Sequence, residues 1–514
     1  MSIDLPKAKS VAENPTQEEM RDWTLHYLPP RALVTEFDNV NYASQVTARL
    51  KKSTFFVSDE EIYQQHLPRV EAKEWARRQD EYIANQDMIL IEGYIGPDPA
   101  FQTGARLYIE RSQANIPAMQ EQLYFPKDVN WEPEFTVIYT PGLTAPGKPD
   151  DRLIIVDLDT YVTRVLGSDY FGESKMGGLR MWNKLVFDRG GLALHAGCKV
   201  FPADGTPGSR ERCALIIGLS GTGKTTTTFR QQLGSLPVQD DFVALMPGGK
   251  IHPSENGCFA KTFGLDPEDE PTIYGGVTRR DAWLENVGVD PQTGKVDFFD
   301  TSHTPNGRAT FPLANIRHRE PRDLPEADYL LILNRNENII PAVAKLKLDQ
   351  SAAYFMLGET KGTSAGGAAE AGKNLRVPGT NPFFFNNDAW QGNRLLELLD
   401  TLPDLEVYVL NTGRIGGPES HPDSKKVKIA HSAAIVKSIV ENTIEWEQDT
   451  DFGYSVAASV PGVDDVELLQ PRRFYERHGR RDEYEERVGG LKHERVTYLE
   501  SFHCLDQSIV AAVG

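Results

Sequence analysis

The sequence predicts an α/β fold with mixed sheets, divided between two domains. Short apolar runs bounded by glycine, proline or charged residues recur along the chain, and their length and β-branched content are typical of buried strands. Longer stretches of helical character lie between some of these runs. With 514 residues, of which 39% are hydrophobic and 25% charged, the chain is long enough for two domains that each bury a core.

The individual elements follow from these patterns. The predicted strands are, in chain order, Met88 to Ile91, Phe135 to Tyr139, Leu153 to Val156, Ala214 to Gly218, Tyr329 to Leu333 and Val407 to Leu410. The predicted helices are Arg69 to Gln86 and Asn393 to Leu399. Helices interspersed among strands indicate an α/β protein, in which mixed sheets are common.

We place the boundary between the two predicted domains near residue 190, so that the domains are 1–190 and 191–514. Two loops rich in turn residues, 141–151 and 203–210, lie on either side of it. A third segment, 358–372, is dominated by Gly, Ala, Ser and Thr. It is either a surface linker or part of a mobile loop near 358–374 that covers an active site.

The charge of the chain limits the classes of partner. Lys and Arg number 55 against 74 Asp and Glu, a formal net charge of -19, so nucleic acid and anionic membranes are not expected partners. The four cysteines lack the spacing of a disulfide framework or a zinc site, and no apolar stretch approaches the roughly 18 residues of a membrane span. We expect a cytoplasmic protein that acts on a small molecule; the sequence does not indicate its oligomeric state.

A phosphate-binding loop is the strongest motif in the chain. The predicted strand Ala214 to Gly218 leads into a GxxxxGKT pattern and then into a predicted helix. Glycines let backbone N–H groups turn toward phosphate oxygens, and the start of the helix adds its positive dipole end. Lys224 is expected to reach the β- and γ-phosphates of ATP, and the Thr225 hydroxyl to ligate Mg²⁺. The predicted nucleotide-binding residues of the loop are Gly218, Leu219, Ser220, Gly221, Thr222, Gly223, Lys224, Thr225 and Thr226.

A pair of adjacent carboxylates follows the loop. Asp240 and Asp241 lie in the apolar stretch Pro237 to Leu245, and Asp240 is 16 residues after Lys224. Two such carboxylates are costly to bury unless cations neutralise them. Because a magnesium–nucleotide site needs a carboxylate near the metal, we predict that the pair lies at that site; an exposed turn before a strand is the alternative.

The loop and several further segments resemble the ATP-dependent phosphoenolpyruvate carboxykinases. The stretch Gly218-Leu-Ser-Gly-Thr-Gly-Lys-Thr-Thr226 is similar to the P-loop of that family, whose Leu-Ser-Gly-Thr is more restrictive than the general pattern. The other similar segments are Thr47-Ala-Arg49, Tyr170-Phe-Gly-Glu-Ser-Lys175, Leu194-His195, Asn256-Gly-Cys-Phe-Ala-Lys261, Glu270-Pro-Thr-Ile-Tyr274, Arg279-Arg-Asp-Ala-Trp-Leu-Glu-Asn286, Arg308-Ala-Thr-Phe-Pro312, Leu410-Asn-Thr-Gly413 and Pro461-Gly-Val-Asp464.

The resemblance implies a reaction and a fold. Members of this family convert oxaloacetate and ATP to phosphoenolpyruvate, carbon dioxide and ADP, a gluconeogenic step, with Mg²⁺ on the nucleotide and a second divalent ion, commonly Mn²⁺, at the substrate. The enolate left by decarboxylation attacks the γ-phosphate, so preplaced cations stabilise the negative charge that develops. The implied fold has an amino-terminal α/β domain and a carboxyl-terminal mononucleotide-binding domain with the P-loop, and the cleft between them closes on ATP.

The resemblance also implies roles for individual side chains. Arg49 would bind a substrate carboxylate, and Arg308 would lie between the substrate and the transferring phosphate. Tyr170 would lie beside the substrate, and Lys175 would neutralise developing charge. The implied ligands are His195 and Asp241 for the second metal, and Lys261, Glu270, Lys426 and Ser432 for the nucleotide.

Some positions depart from the family pattern. Where the family has two consecutive lysines, the second of them a ligand of the substrate metal, this chain has Lys175-Met176. A thioether suits Mg²⁺ or Mn²⁺ poorly, so the second metal site is expected to be weakened or altered. The family's adenine-contacting Arg and Thr fall on Lys426 and Ser432, and the turn after Arg49 lacks the family's Ser-Pro.

Two other functions stay open from the sequence. A kinase on the same scaffold would transfer the γ-phosphate of ATP to another small acceptor, such as a hydroxyl of a carboxylate-bearing metabolite, and would account for the absence of the metal-ligating lysine. A nucleotide-sensing protein would bind ATP without turnover. Taken singly, Arg49, Tyr170 and His195 have ordinary surface or packing roles, and it is their joint occurrence in order around one P-loop that favours the carboxykinase.

Overall fold

The computed structural model describes residues 3–60, 65–203, 205–206, 208–219, 221–361 and 373–514. Contacts within the chain divide it into two compact units. The first unit comprises Met1–Asp188 and His252–Asp323, and the second comprises Arg189–Ile251 and Leu324–Gly514. None of the described helices combines the length and the apolar character that a membrane crossing requires.

The helices confirm the predicted helical stretches. In chain order they are α1 (Gln17–Tyr27), α2 (Arg69–Ile83), α3 (Asn115–Leu123), α4 (Phe171–Asp188), α5 (Lys224–Phe229), α6 (Pro271–Val277), α7 (Leu348–Leu357), α8 (Ala389–Asp400), α9 (Ile429–Val440), α10 (Pro471–Arg477), α11 (Arg481–Glu500) and α12 (Gln507–Ala511). Helix α2 ends at Ile83, before the predicted end at Gln86, and α8 contains the whole of the second predicted helix.

The predicted strands are likewise present, as β6, β8, β9, β12, β21 and β25 of the following series. The described strands are β1 (Ser10–Glu13), β2 (Ala32–Val34), β3 (Val40–Tyr42), β4 (Thr54–Val57), β5 (His66–Leu67), β6 (Asp87–Ile95), β7 (Thr103–Glu110), β8 (Phe135–Thr140), β9 (Leu153–Asp157), β10 (Val162–Leu166), β11 (Leu192–Phe201), β12 (Arg212–Ile217), β13 (Leu236–Gln239), β14 (Phe242–Leu245), β15 (Ile251–Pro253), β16 (Gly257–Lys261), β17 (Trp283–Glu285), β18 (Gly288–Val289), β19 (Val296–Asp297), β20 (Arg308–Pro312), β21 (Ala327–Asn334), β22 (Val343–Lys345), β23 (Glu359–Lys361), β24 (Asn374–Arg376), β25 (Glu406–Asn411), β26 (Arg414–Ile415), β27 (Lys425–Lys426), β28 (Glu445–Gln448) and β29 (Ser455–Ser459).

Among the described residues, the first unit contains two larger sheets and the two-stranded sheet β18-β19. One has the strand order β1-β6-β7-β8-β10-β9-β4-β5, with β6 and β7 antiparallel and β7 and β8 parallel. The other has the order β16-β20-β17-β3-β2, and it joins strands from both parts of the unit. The parallel pairing of β17 with β3 explains why His252–Asp323 groups with the amino-terminal residues, whereas the sequence analysis assigned these residues to the second domain.

The second unit is built on a larger mixed sheet. Its strand order includes β14-β11-β12-β21-β25-β22-β29-β28, and β13 pairs with β11. The adjacent strands β12, β21 and β25 are parallel and their residues are almost all buried, as expected for parallel strands covered on both faces. Their carboxyl ends meet at one edge of the sheet, which is where α/β folds bind ligands. The predicted α/β class with mixed sheets is therefore confirmed.

Candidate active site

The phosphate-binding loop predicted from the sequence lies between β12 and α5 in the second unit. Gly218 directly follows the strand, which ends at Ile217. It is closely surrounded, since a Cβ there would lie 2.4 Å from Thr222 Oγ1 and 2.9 Å from Leu333 Cβ. Gly223 has a φ of 90°, in the left-handed region that glycine adopts without strain. Helix α5 begins at the next residue, Lys224. A buried strand, a glycine turn and a helix start thus follow in the order that a phosphate cradle requires.

The first two residues of α5 contact the predicted acidic pair. Lys224 Nζ donates a hydrogen bond of 2.8 Å to the backbone carbonyl of Asp240 and lies 3.9 Å from Oδ1 of Asp241. Thr225 Oγ1 donates to Asp240 Oδ2 at 2.7 Å. The other oxygen, Asp240 Oδ1, is buried and has no hydrogen-bond partner within the described part of the chain, and burial raises the pKa of this carboxyl. A cation would satisfy that oxygen, so Asp240 and Thr225 form a candidate Mg²⁺ site.

His195 and Asp241 form a second candidate metal site. His195 Nδ1 lies 3.0 Å from the carbonyl oxygen of Thr380, and because a carbonyl only accepts, Nδ1 carries a proton. In the neutral ring Nε2 then presents a lone pair to Oδ1 of Asp241, 3.0 Å away. Two acceptors at this distance need a proton or a metal ion between them. No three His, Cys, Asp or Glu side chains cluster as metal ligands in the described ranges, so a divalent ion would take its other ligands from substrate or water.

We expect Mn²⁺ alone to stabilise the protein through this histidine–carboxylate pair. At about 100 times its Kd, a bound ion should raise the Tm by roughly 2.5 °C. Asp241→Asn should lose most of that shift, because the amide removes the charge and adds N–H groups beside Nε2. Asp400→Asn, at an exposed position at the end of α8, should keep it. Differential scanning calorimetry measures both, and an equal shift in Asp241→Asn would contradict the assignment.

In the first unit, Arg49 lies on a turn that two carboxylates hold. Asp169 accepts hydrogen bonds from the backbone N–H groups of Gln45 and Val46, at 2.8 and 2.9 Å. Glu173, fully buried in α4, accepts from the N–H of residue 50 at 2.6 Å. The segment 169–173 thus fixes the backbone on both sides of Arg49, which is itself half-buried. The same segment contains Tyr170, so Arg49 and Tyr170, both predicted substrate residues, are positioned by one stretch of chain.

Asn306 connects three parts of the predicted substrate site. Its Nδ2 donates to the backbone carbonyl of Thr47 at 2.7 Å and lies 3.4 Å from the hydroxyl of Tyr170. Its Oδ1 accepts from Nε of Arg308 at 3.1 Å. Burial raises the pKa of the Tyr170 phenol, so this group is a neutral hydrogen-bonding group near neutral pH. The turn with Arg49, Tyr170 and Arg308 are therefore brought together around one amide.

Lys175 forms a buried ion pair. Its Nζ lies 2.5 and 2.6 Å from the two carboxylate oxygens of Glu255, and both side chains are almost fully buried. The ammonium also lies 5.6 Å from the centre of the Phe259 ring. Its charge is therefore largely balanced by the protein itself. The next residue, Met176, is buried in the same helix and brings an uncharged thioether.

One row across the smaller sheet of the first unit carries three charged residues. Arg308 on β20 is the register partner of Lys261 on β16 and of Glu285 on β17. Side chains directly opposite one another in neighbouring strands share a face of the sheet. Burial, followed by the charge of Arg308, lowers the pKa of Lys261 to about 8. Arg308 and Lys261, both predicted site residues, thus lie in one row with Glu285, which was not predicted as a site residue.

Glu285 is a buried acid on β17. Oε1 accepts a hydrogen bond from the backbone N–H of Phe171 at 2.8 Å, which anchors the start of α4. Oε2 is buried without a hydrogen-bond partner among the residues that the structure describes. Burial raises the pKa of Glu285 to about 8, so near neutral pH the carboxyl is largely protonated.

The pKa of Glu285 should make stability fall as the pH rises. Its ordinary value is 4.5 and its folded value about 8, so the folded state holds the extra proton between these values and unfolding becomes easier across that range. Glu285→Gln keeps the acceptor for Phe171 and removes the titration. Relative to this variant, the Tm of the unsubstituted protein should fall by about 3 °C between pH 5 and pH 8. Parallel calorimetric Tm curves for the two proteins would rule out a buried neutral carboxyl.

The other predicted nucleotide contacts are divided between the units. Glu270 precedes α6 in the first unit. Lys426, exposed in β27, and Ser432, half-buried in α9, belong to the second. Ser220 and residues 362–372 of the predicted mobile loop lie outside the described residues.

Sequence reasoning missed the residues that support the predicted ones. These are Asp169, Glu173, Glu255, Glu285 and Asn306, which hold a turn, a helix start or a cation. The available signal was an acidic residue inside an apolar run, as in Trp283-Leu-Glu285. Such a residue is seldom buried without a specific partner.

Comparisons with known proteins identify the family. The family described as phosphoenolpyruvate carboxykinase matches residues 9–466. The phosphoenolpyruvate carboxykinase (ATP) of Aeropyrum pernix is 31% identical over 435 residues, 82% of each chain. Phosphoenolpyruvate carboxykinase (ATP) 1 of Moorella thermoacetica is 29% identical over 410 residues, 77% of this chain and 75% of its own. The phosphoenolpyruvate carboxykinase (ATP) of Caldanaerobacter subterraneus subsp. tengcongensis is 26% identical over 491 residues, 91% of this chain and 90% of its own. The chain therefore belongs to the ATP-dependent phosphoenolpyruvate carboxykinase family, as a divergent member.

Proposed function

We propose that this protein converts oxaloacetate and ATP to phosphoenolpyruvate, carbon dioxide and ADP. The observation that carries the proposal is the start of α5, where Lys224 and Thr225 meet two carboxylates directly after a glycine turn. Such an arrangement suits a metal–nucleotide complex, because a lysine can bind the phosphates while carboxylates ligate the metal ion. Family membership supports the choice of reaction.

The second unit would bind the nucleotide and the metals. Lys224 would hold the β- and γ-phosphates. Mg²⁺ would be held by the Thr225 hydroxyl and by Asp240 Oδ1, which has no hydrogen-bond partner among the described residues. His195 and Asp241 would hold the second divalent ion, because their facing acceptors fit a cation. When bound, these ions neutralise phosphate and enolate charge. The backbone carbonyl of Asp240 and the carboxylate of Asp241 also help to position Lys224.

The first unit would bind oxaloacetate. In the substrate, the carbon–carbon bond to the leaving carboxylate breaks, and its electron pair stays on the substrate as an enolate. The enolate oxygen then attacks the γ-phosphorus as ADP leaves. Arg49 would pair with the retained carboxylate through two parallel hydrogen bonds. Arg308 and Lys261, side by side across β20 and β16, would stabilise the charge that builds between enolate and phosphate. Tyr170 would donate a hydrogen bond to the substrate.

A second candidate is a kinase that phosphorylates another small carboxylate-bearing acceptor. Met176 favours it, since the family resemblance implies a metal-ligating lysine at this position and a thioether is a poor ligand for Mn²⁺. The pairing of Lys175 with Glu255 also leaves less free positive charge for an enolate. Such an enzyme would keep the P-loop, Asp241 and Arg49.

We expect Met176→Lys to lower the Mn²⁺ concentration that the enzyme requires, if oxaloacetate is the substrate. An added amine ligand should lower the Mn²⁺ concentration for half-maximal activity by about tenfold. Met176→Leu is the matched control, because it preserves apolar volume without adding a donor, and it should leave that concentration unchanged. Steady-state assays across a Mn²⁺ series measure the effect. An unchanged requirement in a folded Met176→Lys protein would mean that this position does not face the metal.

Release of labelled carbon dioxide tests the reaction itself. The purified protein would be given oxaloacetate, ATP and Mg²⁺, with and without Mn²⁺, and the rate corrected for spontaneous decarboxylation. ATP-dependent release with equal formation of phosphoenolpyruvate supports the carboxykinase. ATP consumption that requires a different acceptor supports the kinase, and ATP binding without turnover supports a nucleotide sensor. In each assay Asp241→Asn serves as the inactive reference.

A further inference from the structure

Lys199 is a buried lysine to which the proposed reaction assigns no role. It lies on β11 in the second unit with 1% of its surface exposed. Its Nζ donates hydrogen bonds to two backbone carbonyls, that of Thr227 at 2.8 Å and that of Arg230 at 2.6 Å. Within the described residues no carboxylate pairs with it. A buried ammonium without an anion is costly unless its hydrogen bonds compensate, so the two carbonyls are the contacts that make this buried lysine tolerable.

The two carbonyls lie at the carboxyl end of α5, the helix that starts the nucleotide site. This helix has only six residues, too few to be stable without tertiary support. The carbonyls at its last turn lack helical partners and carry the negative end of the helix dipole. The ammonium of Lys199 satisfies both of them and complements the dipole. It therefore supports the helix from the end opposite to Lys224.

Two further features fit β11 closely against this helix. A Cβ at Gly197 would lie 1.9 Å from the hydroxyl oxygen of Thr228, so only glycine permits this approach of strand and helix. The pairing of β11 with β13 shifts register between Cys198 and Lys199. Irregularities of this kind redirect a side chain. Strand and lysine together determine where α5 lies.

We propose that Lys199 is a positioning residue for nucleotide binding. Its ammonium holds the carboxyl end of α5 so that Lys224 and Thr225, at the amino end, stay aligned with the phosphates. The inference rests on the proposed nucleotide site and requires no contact between Lys199 and ATP. Replacing Lys199 should therefore weaken the binding of MgATP and leave the use of the carboxylate substrate unaffected.

Calorimetric titration of the full chain with MgATP tests this role. Lys199→Met has a similar volume and no donor, and it should bind MgATP about tenfold more weakly. Lys199→Arg keeps charge and donors and should remain within about threefold of the unsubstituted protein. The KM for oxaloacetate should change less than about twofold in both. A structural role alone would lower the Tm of Lys199→Met but leave MgATP affinity unchanged well below that Tm, and this result would overturn the inference.

The pH dependence of binding gives a test that does not need the methionine variant to fold. Burial, then the charge of Arg230, lowers the pKa of Lys199 to about 7. Its partners across β12 and β13 are Ala214 and Pro237, neither of which titrates. Among the described residues, the charged group that acts on it is Arg230, at the end of α5. Because the ammonium loses its charge, MgATP affinity should fall from about pH 6 to about pH 9, and Lys199→Arg should remove this part of the dependence.

The outcomes separate the two proposals. Equal pH dependence in Lys199→Arg and the unsubstituted protein would overturn the role of Lys199. Absence of MgATP binding in the unsubstituted protein at every pH would instead overturn the nucleotide site on which the inference rests.

Discussion

Lys224→Ala should lower ATP-dependent turnover by about 10³-fold. The lysine is the first residue of α5, and its Nζ lies within reach of both Asp240 and Asp241. Removing it takes away the positive charge nearest to the proposed γ-phosphate and leaves two adjacent carboxylates to repel the nucleotide. The loss should appear with any acceptor, because phosphoryl transfer is common to the carboxykinase and the kinase.

The measurement is kcat and KM for ATP in a coupled assay, together with MgATP affinity by calorimetric titration. Lys250→Ala removes an exposed lysine from the same unit and should behave like the unsubstituted protein, which controls for net charge. The Tm of Lys224→Ala should change little, since within the described part of the chain its side chain donates one hydrogen bond, to the Asp240 carbonyl, and lies 3.9 Å from Asp241 Oδ1. Retention of more than about a tenth of the turnover would show that Lys224 does not bind the transferring phosphate.

The sequence could predict those structural features that are formed by residues close together in the chain. The P-loop is a strand, a glycine turn and a helix start within one short segment, so its pattern alone placed it between β12 and α5. The apolar runs that became β6, β8 and β21 are also local signals. Each needs only its own residues to be recognised.

Features that depend on distant pairing could not be predicted. The parallel contact of β17 with β3 joins residues more than two hundred positions apart, and it moves His252–Asp323 into the first unit. The partners Glu255 for Lys175 and Thr380 for His195 are likewise remote in sequence. Motifs and family resemblance concern one short segment at a time, so they led to the predicted site residues and missed the remote residues that hold them.

Arg49→Ala should raise the KM for oxaloacetate by about 100-fold while MgATP affinity stays within about twofold. Asp169 and Glu173 hold the backbone around Arg49, so truncating its side chain should leave the turn in place. The substitution removes the two charge-assisted hydrogen bonds that Arg49 is proposed to donate to one carboxylate of the substrate. Arg49→Lys should recover part of it, because an ammonium keeps the charge without the planar pair of donors.

Lys52→Ala is the matched control, since it removes an exposed cation close to Arg49 in sequence. It should change KM less than about threefold, because an exposed charge at a distance is screened by salt. If Arg49→Ala and Lys224→Ala weaken MgATP binding equally, Arg49 belongs to the nucleotide site. If only Lys224→Ala does so, and only Arg49→Ala raises the KM for oxaloacetate, the two units divide the substrates as proposed, because each substitution then impairs one of them alone.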